Sequence, residues 1–248
     1  MIAAVTMVRD EADVIEHTIR HLLAHGVDRI LIADNLSTDD TPAILASLAG
    51  EYPREVMLTT DTEPGYYQDR KMTNLTRRAG AWGADWVLPF DADEVWYPSG
   101  GGTLAEFFET CESDIVTGYG WDHIATHDDK PGDPFRSIVH RRDNPQSLPK
   151  VAFRAHPDAS LHMGNHDVNR PGTRGPGLAY RHFQYRSLGQ YVRKVRNGKE
   201  AYEASNMHWN YGTHWRIDGA LSDDEIGGKW EAMCCEFDLV ADPAPVLP

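Results

Sequence analysis

The chain has 248 residues, enough for one large α/β domain with its own core or for two small ones. An apolar fraction of 41% excludes a disordered or fibrous protein, and a formal net charge of -14 argues against wholesale binding of nucleic acid or anionic membrane. Three cysteines, Cys111, Cys234 and Cys235, make a poor disulfide framework, and no apolar run is long enough to span a bilayer or form a signal-peptide core, so a reduced, cytoplasmic protein without a membrane span is expected.

The first half alternates strand and helix signals. Residues 2–8 form a short β-rich apolar run. Residues 13–24 carry helical spacing, with Gly26 just beyond as a stop. An apolar strand over 29–33 leads into the polar loop 34–40. Thr41 and Pro42 then open a helix through Leu48. A third strand is expected over 56–60 and a long helix over 68–80. The fourth strand, 85–90, runs directly into Asp91-Ala92-Asp93-Glu94. Thr103 and Glu106 form a capping-box pattern for a helix to Cys111, and a fifth strand follows over 115–119. Such alternation predicts a mostly parallel, doubly wound sheet, whose ligands bind beyond the C-terminal strand ends.

The second half is less regular. Short strands are expected over 137–140 and 150–153, and a helix from Ser187 to about Ala204. From Asp238 the prolines predict a frayed tail. The expected organisation is a single domain, 1–248, with a ligand-binding half at 1–119, a second binding half at 120–237 and a tail at 238–248.

The acidic residues cluster in the loops after strands one, two and four. Asp91 and Asp93, one residue apart beyond a buried strand, can converge on Mg2+ or Mn2+, which prefer oxygen ligands. The loop from Asp34 to Thr41 can accept hydrogen bonds from a nucleoside, or simply be a series of turns that cap a helix. Glu11 has the same two readings. His162 and His166 are spaced as zinc ligands on a helix would be, yet Gly164 and Asn165 between them are poor helix formers.

Taken together, Asp10-Glu11, Asp34 to Thr41 and Asp91 to Glu94 resemble family 2 glycosyltransferases of the GT-A fold, in the branch with D-N-x-S-T-D-x-T and D-A-D-E motifs. The resemblance covers residues 1 to about 119, with Asp10 where that family usually has Asn. It implies a Rossmann-like central sheet with flanking helices and an irregular acceptor half. It also implies metal-dependent, inverting transfer from a nucleotide-diphosphate-sugar, with UDP the default donor nucleotide and GDP or dTDP the alternatives. On the donor side it implies Met7, Arg9, Glu11, Asp34, Asn35, Gln68, Lys71, Asp91, Ala92 and Arg186. For the metal it implies Asp93, Asp91 and His182.

An inverting transferase needs a general base. Asp167, then Asp122, then Glu94 are the expected choices, and Trp121, His166, Trp209 and Trp215 the expected contacts of a sugar-containing or small-molecule acceptor. A nucleotidyltransferase, a nucleotide-sugar hydrolase and a non-catalytic nucleotide-sugar-binding module are the competing readings. No Gly-rich phosphate loop with a following basic residue stands after strand one, which counts against the first of these.

Overall fold

A computed structural model describes residues 1–129, 132–236 and 238–242. The elements run β1 (Ile2–Val8), α1 (Ile15–Ala24), β2 (Arg29–Asp34), α2 (Thr41–Glu51), β3 (Val56–Thr60), α3 (Gln68–Ala81), β4 (Trp86–Pro89), β5 (Glu94–Pro98) and α4 (Leu104–Thr110). They continue with β6 (Ile115–Ile124), α5 (Pro134–Ser137), β7 (His140–Arg142), β8 (Lys150–Arg154), β9 (Ser160–Leu161), β10 (Val168–Asn169) and β11 (Arg174–Tyr185). Helices α6 (Leu188–Glu203), α7 (Thr213–Asp218) and α8 (Asp223–Cys234) and strand β12 (Leu239–Ala241) complete the chain.

The first half follows the apolar pattern. Strands β3, β2, β1 and β4 pair in parallel, in that order. Side chains alternate across the sheet, as the two-residue strand period demands. Ile30 and Ile32 pack with Ile15, Ile19 and Leu22 on one face, while Leu31 and Ala33 pack with Met72, Leu75 and Ala79 on the other. Burying each such aliphatic side chain contributes about 1.5–3 kcal/mol.

Beyond β4 the sheet becomes mixed. β8 pairs antiparallel with β4 and with β6, so the second half continues the same sheet. β11 runs parallel to β6 and antiparallel to β5. The parallel pairing of the sequence reading thus runs through β1 to β4 and recurs between β6 and β11, with antiparallel pairs at β5, β7 and β8. The expected strand over 137–140 is corrected: Asp133 caps the short helix α5 by accepting from the Phe135 N–H at 3.0 Å, with Pro134 at its start, and the strand begins at His140. The expected frayed tail is corrected for Leu239–Ala241, which pairs with β7; residues 243–248 lie outside the described residues. Among the described residues no helix is long and apolar enough to cross a membrane.

Helix α6 lies over the C-terminal strand ends and is fastened there by polar contacts. Asn197 Nδ2 donates to Asp10 Oδ2 at 2.6 Å, and the Tyr66 N–H donates to the Ala201 carbonyl at 2.9 Å. Asp10 adopts a left-handed backbone (φ 56°), a conformation Asp tolerates better than most residues. Its carboxylate also accepts from the Thr38 N–H at 2.6 Å, joining the loops after β1 and β2. An Asn side chain has one acceptor oxygen to offer where this carboxylate uses two.

Candidate active site

A cavity of about 350 Å³ opens where β1, β2 and β4 end. One wall is Met7, Arg9 and Glu11 from the end of β1, with Asn35 and Gln68 beside them. Asp91, Ala92 and Asp93 form the floor, and His166, His182 and Lys150 close the far side. Gln190, Lys194, Asn197 and Ala201, spaced one turn apart on α6, make the roof.

The electrostatics centre on two lysines, Lys150 buried and Lys194 partly exposed. Lys194 Nζ donates to Asp93 Oδ2 and lies 3.4 Å from Glu11 Oε1. Lys150 Nζ donates to Asp91 Oδ2 and pairs with Glu94. Behind them Arg186, nearly inaccessible, reaches Glu11 at 2.6 Å, Asp13 at 2.8 Å and Asp93 at 3.6 Å. Burial alone would raise the Asp93 carboxyl, but Lys194, His182 and Arg186 outweigh it and hold the group well below the usual carboxylate range. Burial likewise opposes charge on Lys194, and Asp93 and Glu11 override it, so the ammonium stays protonated. Glu11, Asp13, Asp91, Asp93 and Glu94 thus meet Lys150, Arg186 and Lys194, and burial raises the Glu11 and Glu94 carboxyls above their ordinary range despite those cations.

His182 Nε2 faces Asp93 Oδ1 at 3.7 Å, while its Nδ1 lies 2.8 Å from Asp122 Oδ1. Burial lowers the His182 pKa and the two carboxylates more than reverse that, so the net direction is upward. Gln146 Nε2 donates to Asp122 at 2.7 Å, and the Tyr180 hydroxyl donates to Gln146 Oε1 at 2.6 Å, so a part-buried polar chain backs the imidazole. His166 differs. Its Nδ1 lies 3.0 Å from the Pro149 carbonyl, a contact that requires the proton on Nδ1 and leaves Nε2 an acceptor. Burial pulls its pKa below the usual 6.5, only partly offset by that carbonyl.

The structure brings together Met7, Arg9, Glu11, Asn35, Gln68, Asp91, Ala92, Asp93, His166, His182 and Trp215 around the cavity. Others stand elsewhere. Asp34 does not line the cavity, and its buried Oδ1 has no partner among the described residues. It shares the side-chain face of Ile30 and Ile32, whereas Asn35 falls on the opposite, cavity-facing side. Lys71 ties down the loop before α3 by bonding Asp61 and the Glu63 carbonyl, both at 2.6 Å. Arg186 sits behind the carboxylates.

None of the three carboxylates expected as the base lines the cavity. Asp167 is drawn to Arg174 at 2.8 Å, and Asp122 is held by His182, Gln146 and Arg142. Glu94 is fully buried beneath Asp91, accepting from the Asp91 and Trp96 N–H groups at 3.0 Å. Trp121 packs under the Arg141 guanidinium, and Trp209 is 58% exposed on the surface. Asp91 is turned to Lys150 and Asn165, and among the described residues no three His, Cys, Asp or Glu side chains converge as a ready-made metal cluster.

Sequence reading missed Lys150, Lys194 and Asn197. The signal for the last two is the polar stripe at 190, 194 and 197 on a helix with a strong cap, which reads equally as a solvated face. His162 and His166 part company because Gly164, at φ 72°, turns the chain between them.

Comparison with known proteins gives one family match: the family described as Glycosyl transferase family 2 matches residues 4–163. No curated protein matches the chain. Among solved structures, residues 1–349 of TarS from S. aureus in complex with UDP are 13% identical, with a TM-score of 0.45, covering 92% of this chain and 77% of that one. The corresponding complex with UDP-GlcNAc is 12% identical at a TM-score of 0.45, covering 92% and 78%. HddC from Yersinia pseudotuberculosis is 14% identical at a TM-score of 0.40, covering 71% and 89%.

Proposed function

The chain belongs to glycosyl transferase family 2 and is a glycosyltransferase, and from that premise we propose that it moves a sugar from a nucleotide-diphosphate-sugar to an acceptor hydroxyl with inversion and with help from a divalent cation. The observation that carries this reading is the set of paired carboxylates and lysines packed around one cavity at the strand ends. UDP is the default nucleotide, with GDP and dTDP as alternatives.

The donor set suits Mg2+ or Mn2+. Such ions commonly take one or two carboxylates and complete their shell with substrate phosphates and water, so a three-donor protein cluster is not required. Asp93 and His182 would hold the ion, with Asp122 orienting the imidazole from behind, as carboxylates do for metal-ligating histidines. When bound, the ion would neutralise the diphosphate and stabilise it as the leaving group.

The chain's own residues do the rest. Lys194, already desolvated, offers its ammonium to a phosphate once it leaves Asp93. Arg193 lines the same roof. His166 is the general base: neutral, with Nε2 as a free acceptor held in one tautomer by Pro149. The acceptor oxygen bonds to the anomeric carbon as its proton passes to His166 Nε2. The bond from that carbon to the phosphate oxygen breaks, and the nucleoside diphosphate departs with the electron pair.

The test is 31P NMR of UDP-, GDP- and dTDP-sugars incubated with the protein and Mg2+, using water as a slow acceptor. Release of one nucleoside diphosphate supports the reading. Cleavage to a nucleoside monophosphate, formation of a nucleoside triphosphate from added pyrophosphate, or intact donors throughout would overturn it.

A further inference from the structure

A second groove, of about 680 Å³, adjoins the cavity and shares one residue with it, His166. One wall is the outer face of α3, where Arg70, Asn74 and Arg77 recur at i, i+4 and i+7 and so stand in a single row. The other wall is His162, Met163 and Asn169, with Tyr211 across the end.

The charge of this groove runs against the molecule. The chain carries a net charge of -14, yet the groove's lining holds two guanidiniums and two imidazoles against one carboxylate, Asp69. Of the arginines at or behind the cavity, Arg9, Arg142, Arg181 and Arg186 pair with carboxylates, and among the described residues Arg193 in its roof does not. Arg70 rests on the Tyr67 ring, 4.5 Å away, and among the described residues neither it nor Arg77 forms an ion pair. Seven helical residues separate the two guanidiniums, a rise of about 10 Å along α3. The row leads towards Gln68, at the start of the same helix, which lines the cavity and accepts from the Gly164 N–H at 2.6 Å.

We propose that this groove is the acceptor subsite and that it takes a chain bearing anionic groups, phosphate or carboxylate, with its reacting hydroxyl presented at His166. Arg70 and Arg77 grip successive anionic groups by charge-assisted hydrogen bonds. Asn74 and Asn169 offer amides to the hydroxyls between them, and Tyr211 offers a ring face to a sugar. The inference rests on the transferase reading of the adjoining cavity and adds the chemical class of its acceptor.

Three probes separate the outcomes: a short glycerol phosphate oligomer, an oligogalacturonate and neutral maltotetraose. Each is titrated by calorimetry and by NMR of the arginine Nε–Hε groups, with UDP and Mg2+ titrated in parallel. At least one anionic oligomer is expected to bind about tenfold or more tightly than maltotetraose and to shift the Arg70 and Arg77 signals. The doubly substituted Arg70→Ala, Arg77→Ala protein is expected to lose that affinity by about tenfold or more while its UDP affinity stays unchanged. Both positions are exposed on a helix, where Ala is well tolerated. Whichever anionic oligomer binds names the anionic group. UDP binding with no anionic oligomer bound, equal binding of the neutral chain, or full affinity in the double variant would overturn the subsite. Loss of UDP binding alone, with the oligomer still bound at Arg70 and Arg77, would overturn the donor reading and leave the groove as an anion site.

Discussion

The Lys194 ammonium sits on the Asp93 carboxylate, a contact between residues 101 positions apart that closes α6 over the end of β4. Both side chains are largely withdrawn from solvent, at 21% and 3% exposure, so each is costly to leave without the other. Replacing Lys194 with Met keeps the bulk and removes the charge. Arg186 and His182 still face Asp93, so the expected loss is at the low end for a broken buried pair, about 3 kcal/mol, read as a lower urea midpoint. An unchanged midpoint would mean that α6 is not held by this pair.

His166 gives a prediction in pH. A base works when deprotonated, and burial sets this imidazole below its usual 6.5. The acid limb of kcat/KM is therefore expected to fall below pH 6.5, with a flat profile through neutrality. His166→Ala should lower kcat by about 100-fold or more and leave donor affinity intact. A limb above pH 7 would point to another group.

Asp122 makes no contact with the cavity, yet it fixes the imidazole that does. Asp122→Asn is expected to weaken Mn2+ binding about 10- to 100-fold, measured by electron paramagnetic resonance of free Mn2+ in the presence of UDP. Unchanged Mn2+ affinity would leave Asp122 a purely structural partner of Arg142 and Gln146.

Gly120 tests the packing behind the site. A Cβ there would lie 2.1 Å from the Tyr180 ring, which is fully buried and stacked on Trp96 at 4.7 Å. Gly120→Ala is expected to destabilise the fold by about 1–3 kcal/mol. Because Tyr180 holds Gln146, and Gln146 holds Asp122, metal affinity should fall in the same variant.

β1 and β4 are readable in the sequence because each is an apolar run buried on both faces, and β3, half-exposed at the sheet edge, is readable from its β-branched and apolar residues. β11 is not readable. Gly175, Pro176 and Gly177 interrupt it and Arg181 and His182 charge it, and it is a strand because β5 and β6 flank it on either side, with its register shifting at Pro176. Helix α8 did carry a signal, the Ser222–Glu225 capping box, in a segment with little apolar periodicity. In the site, Asp91, Asp93 and Glu11 are legible because they follow strands, and strand ends converge. Lys150 and Lys194 are not, since their roles depend on β8 and α6 folding back over those ends. The same limit applies to the base: sequence supplies Asp167 and Asp122 as carboxylates but not the arginines that occupy them.

The most direct test of the account is a calorimetric titration of UDP, GDP and dTDP, with and without Mn2+, on the unmodified protein and on Asp93→Ala. One diphosphate is expected to bind tightly only with Mn2+, and that binding to be lost in the variant. If no nucleoside diphosphate binds under either condition, or if binding is indifferent to both Mn2+ and Asp93, the assignment of this cavity as a cation-assisted donor site is contradicted.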